Sequence, residues 1–256
     1  MVCHQVRSPD NLGAVARLMA NFGFSRLTLS EPVTYAFREA EKLAVGAAHL
    51  LDSLRLVSSL QEAVGPAVYA VGTTSRAELK GRVALSPEEA VKRLSTEAAR
   101  GPVALVFGGE KRGLSDDELS VCQDVLVIPT EPAQPSMNLS QAVAVLLYLC
   151  AREDRGEGSE STSVHPERGE AQSGGSPRRG SGRTEVGARL ETIQVLEAAL
   201  GELLLGAGYL NPQAPEHALR ELGRSLTRAR LTQREAEMWL SAFQHLRRAG
   251  ASKLTP

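Results

Sequence analysis

Residues 101–150 read GPVALVFGGEKRGLSDDELSVCQDVLVIPTEPAQPSMNLSQAVAVLLYLC, and this stretch decides the fold. Positions 103–107 form a continuous apolar run, as expected of a strand buried on both faces. The run ends in Gly108-Gly109-Glu110, a turn too tight for side chains, with one carboxylate at its rim. Ser115 with Glu118 three residues on is the capping-box signature of a helix start. Positions 125–128 give a second buried-type strand, closed by Pro129. A loop carrying Pro132, Pro135 and Ser136 then delivers Asn138 into a helix over 139–150. Two strands thus end in polar loops on the same side of a sheet, where open α/β sheets bind ligands.

The rest of the first 150 residues follows the same rhythm. Positions 2–6 read as a first strand, short and directly after Met1; either the start has been trimmed or the strand is reduced. Ser8-Pro9-Asp10-Asn11 reads as a turn, and Leu12, Val15, Ala16, Met19 and Phe22 recur at helical spacing. Further strands are expected at 27–29, 54–57 and 67–71, the last running into Gly72-Thr73-Thr74-Ser75. Helices are expected at 36–48, 59–63 and 87–100, the last with Ser86 as its cap and Pro87 in its first turn. Strands alternating with helices argue a parallel sheet with helices on both faces.

Composition breaks after Cys150. Residues 151–184 hold almost no large apolar side chains and cannot offset the entropy of ordering, so they read as a disordered linker. The helical pattern resumes over 185–250. Leu190, Ile193, Leu196, Leu200, Leu203 and Leu204 make one stripe, 218–226 makes a second helix, and Thr232 caps a third carrying Ala236, Trp239, Leu240, Phe243 and Leu246. Arg220, Arg224 and Arg228 recur every four residues on one face, with Arg230 just beyond. Such a face is either an ordinary solvated one or a phosphate-contacting one, the guanidinium fork suiting phosphate oxygens.

Totals bound the function. A chain of 256 residues with 42% apolar and 23% charged residues is globular, of one large or two modest domains. A net charge of −1 gives no global pull toward nucleic acid, so any RNA affinity must come from local patches. Cys3, Cys122 and Cys150 lack metal or redox spacing, read as small buried hydrophobes, and suit a reducing compartment. The longest apolar run, 142–151, is too short to span a bilayer and no signal segment opens the chain, which points to the cytosol. A nicotinamide dehydrogenase is excluded, since no GxGxxG follows the first strand.

Three segments together carry a resemblance. DNLGAVARLMANFGF (10–24), FGGEKRGLS (107–115) and IPTEPAQPSMNLSQAVAVLLY (128–148) resemble, in order and separation, the three motifs of the SpoU-type RNA ribose 2′-O-methyltransferases of the SPOUT superfamily. LRELGRSLTRARLTQREAEMWLSAF (219–243) is more loosely similar to the C-terminal helical extension of the TrmJ-type tRNA methyltransferases. The resemblance implies an α/β fold with a C-terminal trefoil knot, domains at 1–150 (methyltransferase) and 185–250 (helical, RNA-binding), and a homodimer with the site built across its interface. It implies S-adenosylmethionine as methyl donor, tRNA as partner and no metal. The implied reaction is methylation of a cytidine or uridine ribose, at position 32 of the anticodon loop; rRNA or another tRNA position, and a non-catalytic RNA-binding platform, are the alternatives.

Individual residues follow from the motifs. Read alone, Arg17 is a surface cation, Glu110 a loop carboxylate pairing with Lys111 or Arg112, Ser136 a turn serine and Asn138 a helix N-cap. The resemblance places Asn11 and Arg17 on the NxGxxxR motif, with Arg17 acting on the substrate ribose and reaching toward the partner's pocket. It places Glu110 on the second motif, and Ser136 and Asn138 on the third, where they position the ribose and close the site. Cofactor contacts are expected from Thr73, Thr74, Ser75, Gly108, Ile128, Pro135, Ser136 and Met137, and RNA contacts from Arg17, Arg224, Arg228 and Arg230. Two positions depart from the family pattern: Gly109 stands where proline or arginine is common, and Pro135, lacking an N–H, stands where a small polar residue is frequent.

Overall fold

A computed structural model describes residues 1–33, 35–76, 79, 81–156, 186–210 and 216–252. The element order is β1 (Val2–His4), α1 (Pro9–Asn21), β2 (Thr28–Ser30), α2 (Phe37–Glu41), α3 (Ala48–Asp52), β3 (Arg55–Val57), α4 (Leu60–Val64), β4 (Tyr69–Thr74), α5 (Pro87–Ala98), β5 (Val103–Phe107), α6 (Asp116–Ser120), β6 (Asp124–Val127) and α7 (Leu139–Asp154). Three further helices follow: α8 (Leu190–Gly206), α9 (Glu216–Arg228) and α10 (Gln233–Ser252). The strands form one sheet in the order β3-β2-β1-β5-β4-β6, and every pairing is parallel.

Alternation along the strands feeds two cores. Cys3, Val71, Leu105, Phe107 and Leu126 face a layer made with Leu12, Val15 and Met19 of α1, Ala90 and Leu94 of α5, and Val143, Leu146 and Leu147 of α7. Val2, Ala70, Ala104, Val106 and Val125 face the opposite layer, with Leu60 and Val64 of α4, Leu119 of α6 and Leu190 of α8. Each fully covered Leu or Val contributes about 1.5–3 kcal/mol, so the apolar strand runs are the main reason the sheet forms.

Local signals explain where elements begin and end. Ser8 caps α1, accepting from the Asn11 amide, and Pro9 sits in its first turn. The Ser8–Asn11 turn expected from the sequence is therefore the start of a helix: Ser at N-cap, Pro at N1 and Asp10 in the first turn are all helix-start residues. The single helix expected over 36–48 is broken; α2 stops at Glu41 and α3 starts at Ala48, with Gly46 at φ +75° between them. Helix α7 passes the expected end at Cys150 and runs to Asp154, because Ala151 is still buried and the next residues favour helix. The remainder of the expected linker lies almost wholly outside the described residues.

The C-terminal helices are stitched to the sheet layer by backbone. Leu190 donates to Ala67 O (2.8 Å), Glu191 to Gly65 O (3.0 Å) and Gly187 to Arg100 O (3.1 Å), while Ala188 donates to Leu231 O (2.8 Å). The apolar stripe expected on the third helix is only partly covered: Ala236 is buried, whereas Trp239 and Leu246 are 47% and 57% exposed.

Candidate active site

The C-terminal ends of β4, β5 and β6 open into a cleft of about 280 Å³. Thr73, Thr74, Ser75, Gly108, Ile128, Pro135, Ser136 and Met137 all line it, together with Glu110, so every residue expected to contact the cofactor is brought to one place. Phe107, Leu126, Leu139 and Ala142 add apolar surface, and the threonine, serine and loop residues add polar surface. Thr73 and Thr74 belong to β4 itself rather than to a following loop, since Thr74 pairs in register with Val127 of the edge strand.

The glycine loop between β5 and α6 is shaped by close approaches. A Cβ on Gly108 would lie 2.2 Å from the Gly113 carbonyl carbon, and one on Gly109 would lie 2.5 Å from Gln5 O. Gly113 donates to Gly109 O at 2.9 Å and closes the turn. Glycine at 109, the departure from the family pattern, is thus demanded by contact with the end of β1. Gly13 plays a similar part in the first motif: its missing Cβ would meet Ala40 O at 2.1 Å, where α1 crosses α2.

A hydrogen-bonded chain joins the three motifs beside this cleft. Asn138 Nδ2 donates to Asn11 Oδ1 (3.0 Å), and Asn11 Nδ2 donates to Glu110 Oε1 (3.0 Å). The amides of Ser8 (3.0 Å) and Arg7 (2.9 Å) also donate to the Glu110 carboxylate. Asn138 caps α7 as well, its Oδ1 accepting from the Ser140 amide at 2.8 Å, with Gln141 completing a capping box. Burial acts to raise the Glu110 carboxyl, but the bonds from Asn11, Ser8 and Arg7, with its own amide, outweigh it and hold the group below the usual carboxylate range. Glu110 is therefore ionised at neutral pH with its oxygens occupied. It does not pair with Lys111 or Arg112; Arg112 instead bonds Glu118 at 3.0 Å.

Beneath the loop, His4 is buried, with Nδ1 3.0 Å from Ser30 Oγ and Nε2 3.2 Å from Glu118 Oε1, within ion-pairing distance but outside hydrogen-bond geometry. Burial acts to raise the Glu118 carboxyl, while bonds to Ser115 and the proximity of His4 bring it below its ordinary value. The cysteines are unreactive packing residues: burial pushes the Cys3, Cys122 and Cys150 thiols up to about 12.

Two expected site residues stand apart. Ser136 lines the cleft but, among the described residues, has no hydrogen-bond partner. Arg17 is exposed on α1 and, among the described residues, meets no acceptor. Six positions along a helix turn it by about 240° from Asn11, so it leaves the face that carries the Asn11–Glu110 bond.

The arginines expected to touch RNA divide. Arg230 Nη1 bonds buried Glu97 (2.9 Å), its guanidinium lies 5.6 Å from the Tyr69 ring centroid, and its carbonyl accepts from Arg100 (3.0 Å). It fastens the C-terminal helices to α5 and β4. Arg224 pairs with Glu221 at 2.8 Å, and Arg228 Nε bonds Arg224 O at 3.2 Å.

Comparison with known proteins agrees with this geometry. Residues 1–148 match the model of the SpoU rRNA Methylase family. The chain belongs to that family. The tRNA (cytidine/uridine/adenosine-2'-O-)-methyltransferase TrmJ of Pseudomonas aeruginosa is 33% identical over 236 residues, covering 89% of this chain and 85% of the relative. The tRNA (cytidine/uridine-2'-O-)-methyltransferase TrmJ of Pectobacterium atrosepticum is 32% identical over 220 residues, covering 86% and 84%. The crystal structure of TrmJ from Z. mobilis ZM4 superposes with a TM-score of 0.78 at 23% identity over 96% of this chain and 97% of that one, a likeness of fold. The family's three motifs fall on the residues that form the cleft and the Asn138–Asn11–Glu110 chain. Sequence reading did not find the Arg7 and Ser8 amides on Glu110; the Ser-Pro helix start is the signal that places them.

Proposed function

We propose that this chain is an S-adenosylmethionine-dependent tRNA ribose 2′-O-methyltransferase acting on a cytidine or uridine, at position 32 of the anticodon loop. One observation carries the reading: residues distant in sequence converge so that the strand-end cleft opens directly beside the hydrogen-bonded chain Asn138–Asn11–Glu110. The TrmJ relatives, similar over most of their length, supply the substrate class, and their reaction suits the cytosol.

The cleft fits the donor chemically, with apolar Leu126, Ile128, Leu139 and Ala142 suited to a purine and the β4 hydroxyls and the 108–113 and 135–137 loops suited to its polar parts. When bound, S-adenosylmethionine supplies a methyl carbon activated by a sulfonium leaving group, so the transfer requires no metal. Ionised Glu110 fixes the Asn11 amide, and Asn138 locks the same amide from α7. Such alignment of a hydroxyl with its target accounts for about 7–11 kcal/mol of barrier lowering in well-oriented systems. Arg17 presents N–H donors and no acceptor. Its role is to hold the adjacent phosphate and stabilise charge developing on the ribose oxygen.

Arg17 does not line the cleft of its own chain, which supports a homodimer in which it serves the partner's. The trefoil knot belongs to the same proposal: the chain leaves edge strand β6, lines the cleft at 135–137, and then packs α7 on α1 beyond it. The division at the 151–184 linker, with 185–250 as an RNA-binding unit, is supported by the arginines of α9. Methyl transfer to unmodified tRNA, followed by mapping of the labelled nucleotide, tests the reading; label confined to a base rather than a ribose would overturn it.

A further inference from the structure

Between the β4–α5 connection, α6 and α9 lies a second cleft, of about 430 Å³, lined by Arg82, His217, Arg220, Arg224 and Arg228, with Glu221 as its one carboxylate among the described residues. Two of these cations have acidic partners: Arg224 pairs with Glu221 at 2.8 Å and Arg220 lies 3.4 Å from Asp117. The other two arginines bond only neutral oxygens among the described residues. Arg82 donates to the carbonyls of Leu119 (2.7 Å), Cys122 (2.8 Å) and Gln123 (2.8 Å), and Arg228 donates to Arg224 O (3.2 Å). Carbonyls satisfy donors without cancelling charge, so net positive charge is concentrated in a concave, partly desolvated site. Arg224 Nε is shut off from solvent and has no partner among the described residues. Burial, joined by the charges of Arg224 and Arg228 against Cys122 and Asp124, pulls the Arg82 guanidinium below its ordinary range.

We infer that this cleft is a phosphodiester-binding site that seats the RNA backbone between the sheet layer and α9, with Arg82 and Arg228 supplying the unpaired charge and Arg220 the rim. It deepens the tRNA reading, on which its ligand rests, by assigning the contact to a composite of both parts of the chain rather than to the C-terminal helices alone. Guanidinium forks suit phosphate oxygens bidentately. The two clefts share no lining residue, so the RNA held here is held apart from the reacting ribose.

The test compares Arg220→Gln/Arg228→Gln with Arg234→Gln, an exposed α10 arginine outside the cleft, in the full chain. Arg82 is left intact because its carbonyl bonds hold the β4–α5 connection to the end of α6 and the turn after it. Binding of a tRNA transcript is measured across salt, with melting temperature as the folding control. The cleft predicts a Kd about tenfold higher near physiological salt and a salt slope shallower by about 1–2, roughly one for each phosphate no longer neutralised. Arg220→Lys/Arg228→Lys keeps most of the slope, and Arg234→Gln leaves both quantities near wild type. A double glutamine variant indistinguishable from Arg234→Gln overturns the site. Wild-type methyl transfer is read in parallel: if the slope falls in the double variant but no methyl reaches tRNA with the wild type, the cleft stands and the enzymatic reading falls.

Discussion

Replacing Glu110 by glutamine separates a positioning carboxylate from a general base. Its oxygens accept from the Arg7 amide, the Ser8 amide and Asn11 Nδ2. Glutamine offers one oxygen in place of two and turns an N–H toward these donors. Hydrogen bonds to a charged group are worth about 1.5–3 kcal/mol each when desolvated. Glu110 is exposed, so screening reduces the sum for the three to about 2 kcal/mol. A loss of that size lowers Tm by about 4–8 °C in a chain of this size. The sign with pH is fixed by the lowered carboxyl: its stabilisation is present above the unfolded value of about 4.3 and is lost as pH falls through the folded value. The Tm difference between wild type and Glu110→Gln therefore holds constant near neutrality and closes in acid. Freed from Glu110, the Asn11 amide rotates, and methyl transfer falls by about 100-fold, the scale of a misplaced orienting group. The assay is kcat against pH from about 4 to 9 with tRNA and donor saturating. A positioning role predicts a uniform drop with the shape of the profile unchanged. Loss of an acid limb in the variant would show that Glu110 accepts the proton, and wild-type activity with wild-type Tm would refute the network altogether.

Other substitutions probe the remaining links. Arg17→Ala abolishes methylation while isothermal titration finds donor affinity within a few fold of wild type; loss of both together would remove Arg17 from the ribose. Asn138→Ala costs about 1 kcal/mol through its cap on α7 and also severs Asn11, so thermal melting shows a loss of about 2–4 °C, donor binding weakens and turnover falls. Unchanged turnover would make Asn138 a cap alone. Arg230→Ala strips buried Glu97 of one of its two cationic partners and should cost about 2 kcal/mol in denaturant unfolding, with the salt slope of tRNA binding unchanged. A shallower slope would return Arg230 to the RNA surface.

Much of this architecture is legible in the sequence for physical reasons. The strand at 103–107 has matching bounds because its apolar run is bounded by Gly101-Pro102 before it and Gly108 after it, and α6 starts where Ser115 and Glu118 place it. The cofactor loops are legible because strand ends in an open parallel sheet face one way. The first turn of α1 is misread because Ser-Pro-Asp-Asn is turn chemistry and helix-start chemistry alike, and only the tertiary bonds to Glu110 decide between them. The break between α2 and α3 rests on one left-handed glycine in a run of good helix formers. The Glu97 bond of Arg230 is hidden in the sequence for a different reason. A guanidinium just past a basic helix looks free until buried Glu97, far away in sequence, folds against it. Long-range pairing of polar side chains leaves no periodic trace.

The central claim is tested most directly by incubating the full chain with radiolabelled S-adenosylmethionine and unmodified tRNA, then mapping the label by nuclease digestion. The account predicts label on the ribose of a pyrimidine in the anticodon loop, at position 32, and none with Arg17→Ala. Label on rRNA alone would retain the methyl transfer and discard the tRNA substrate, and donor binding with no label on any RNA would contradict the account.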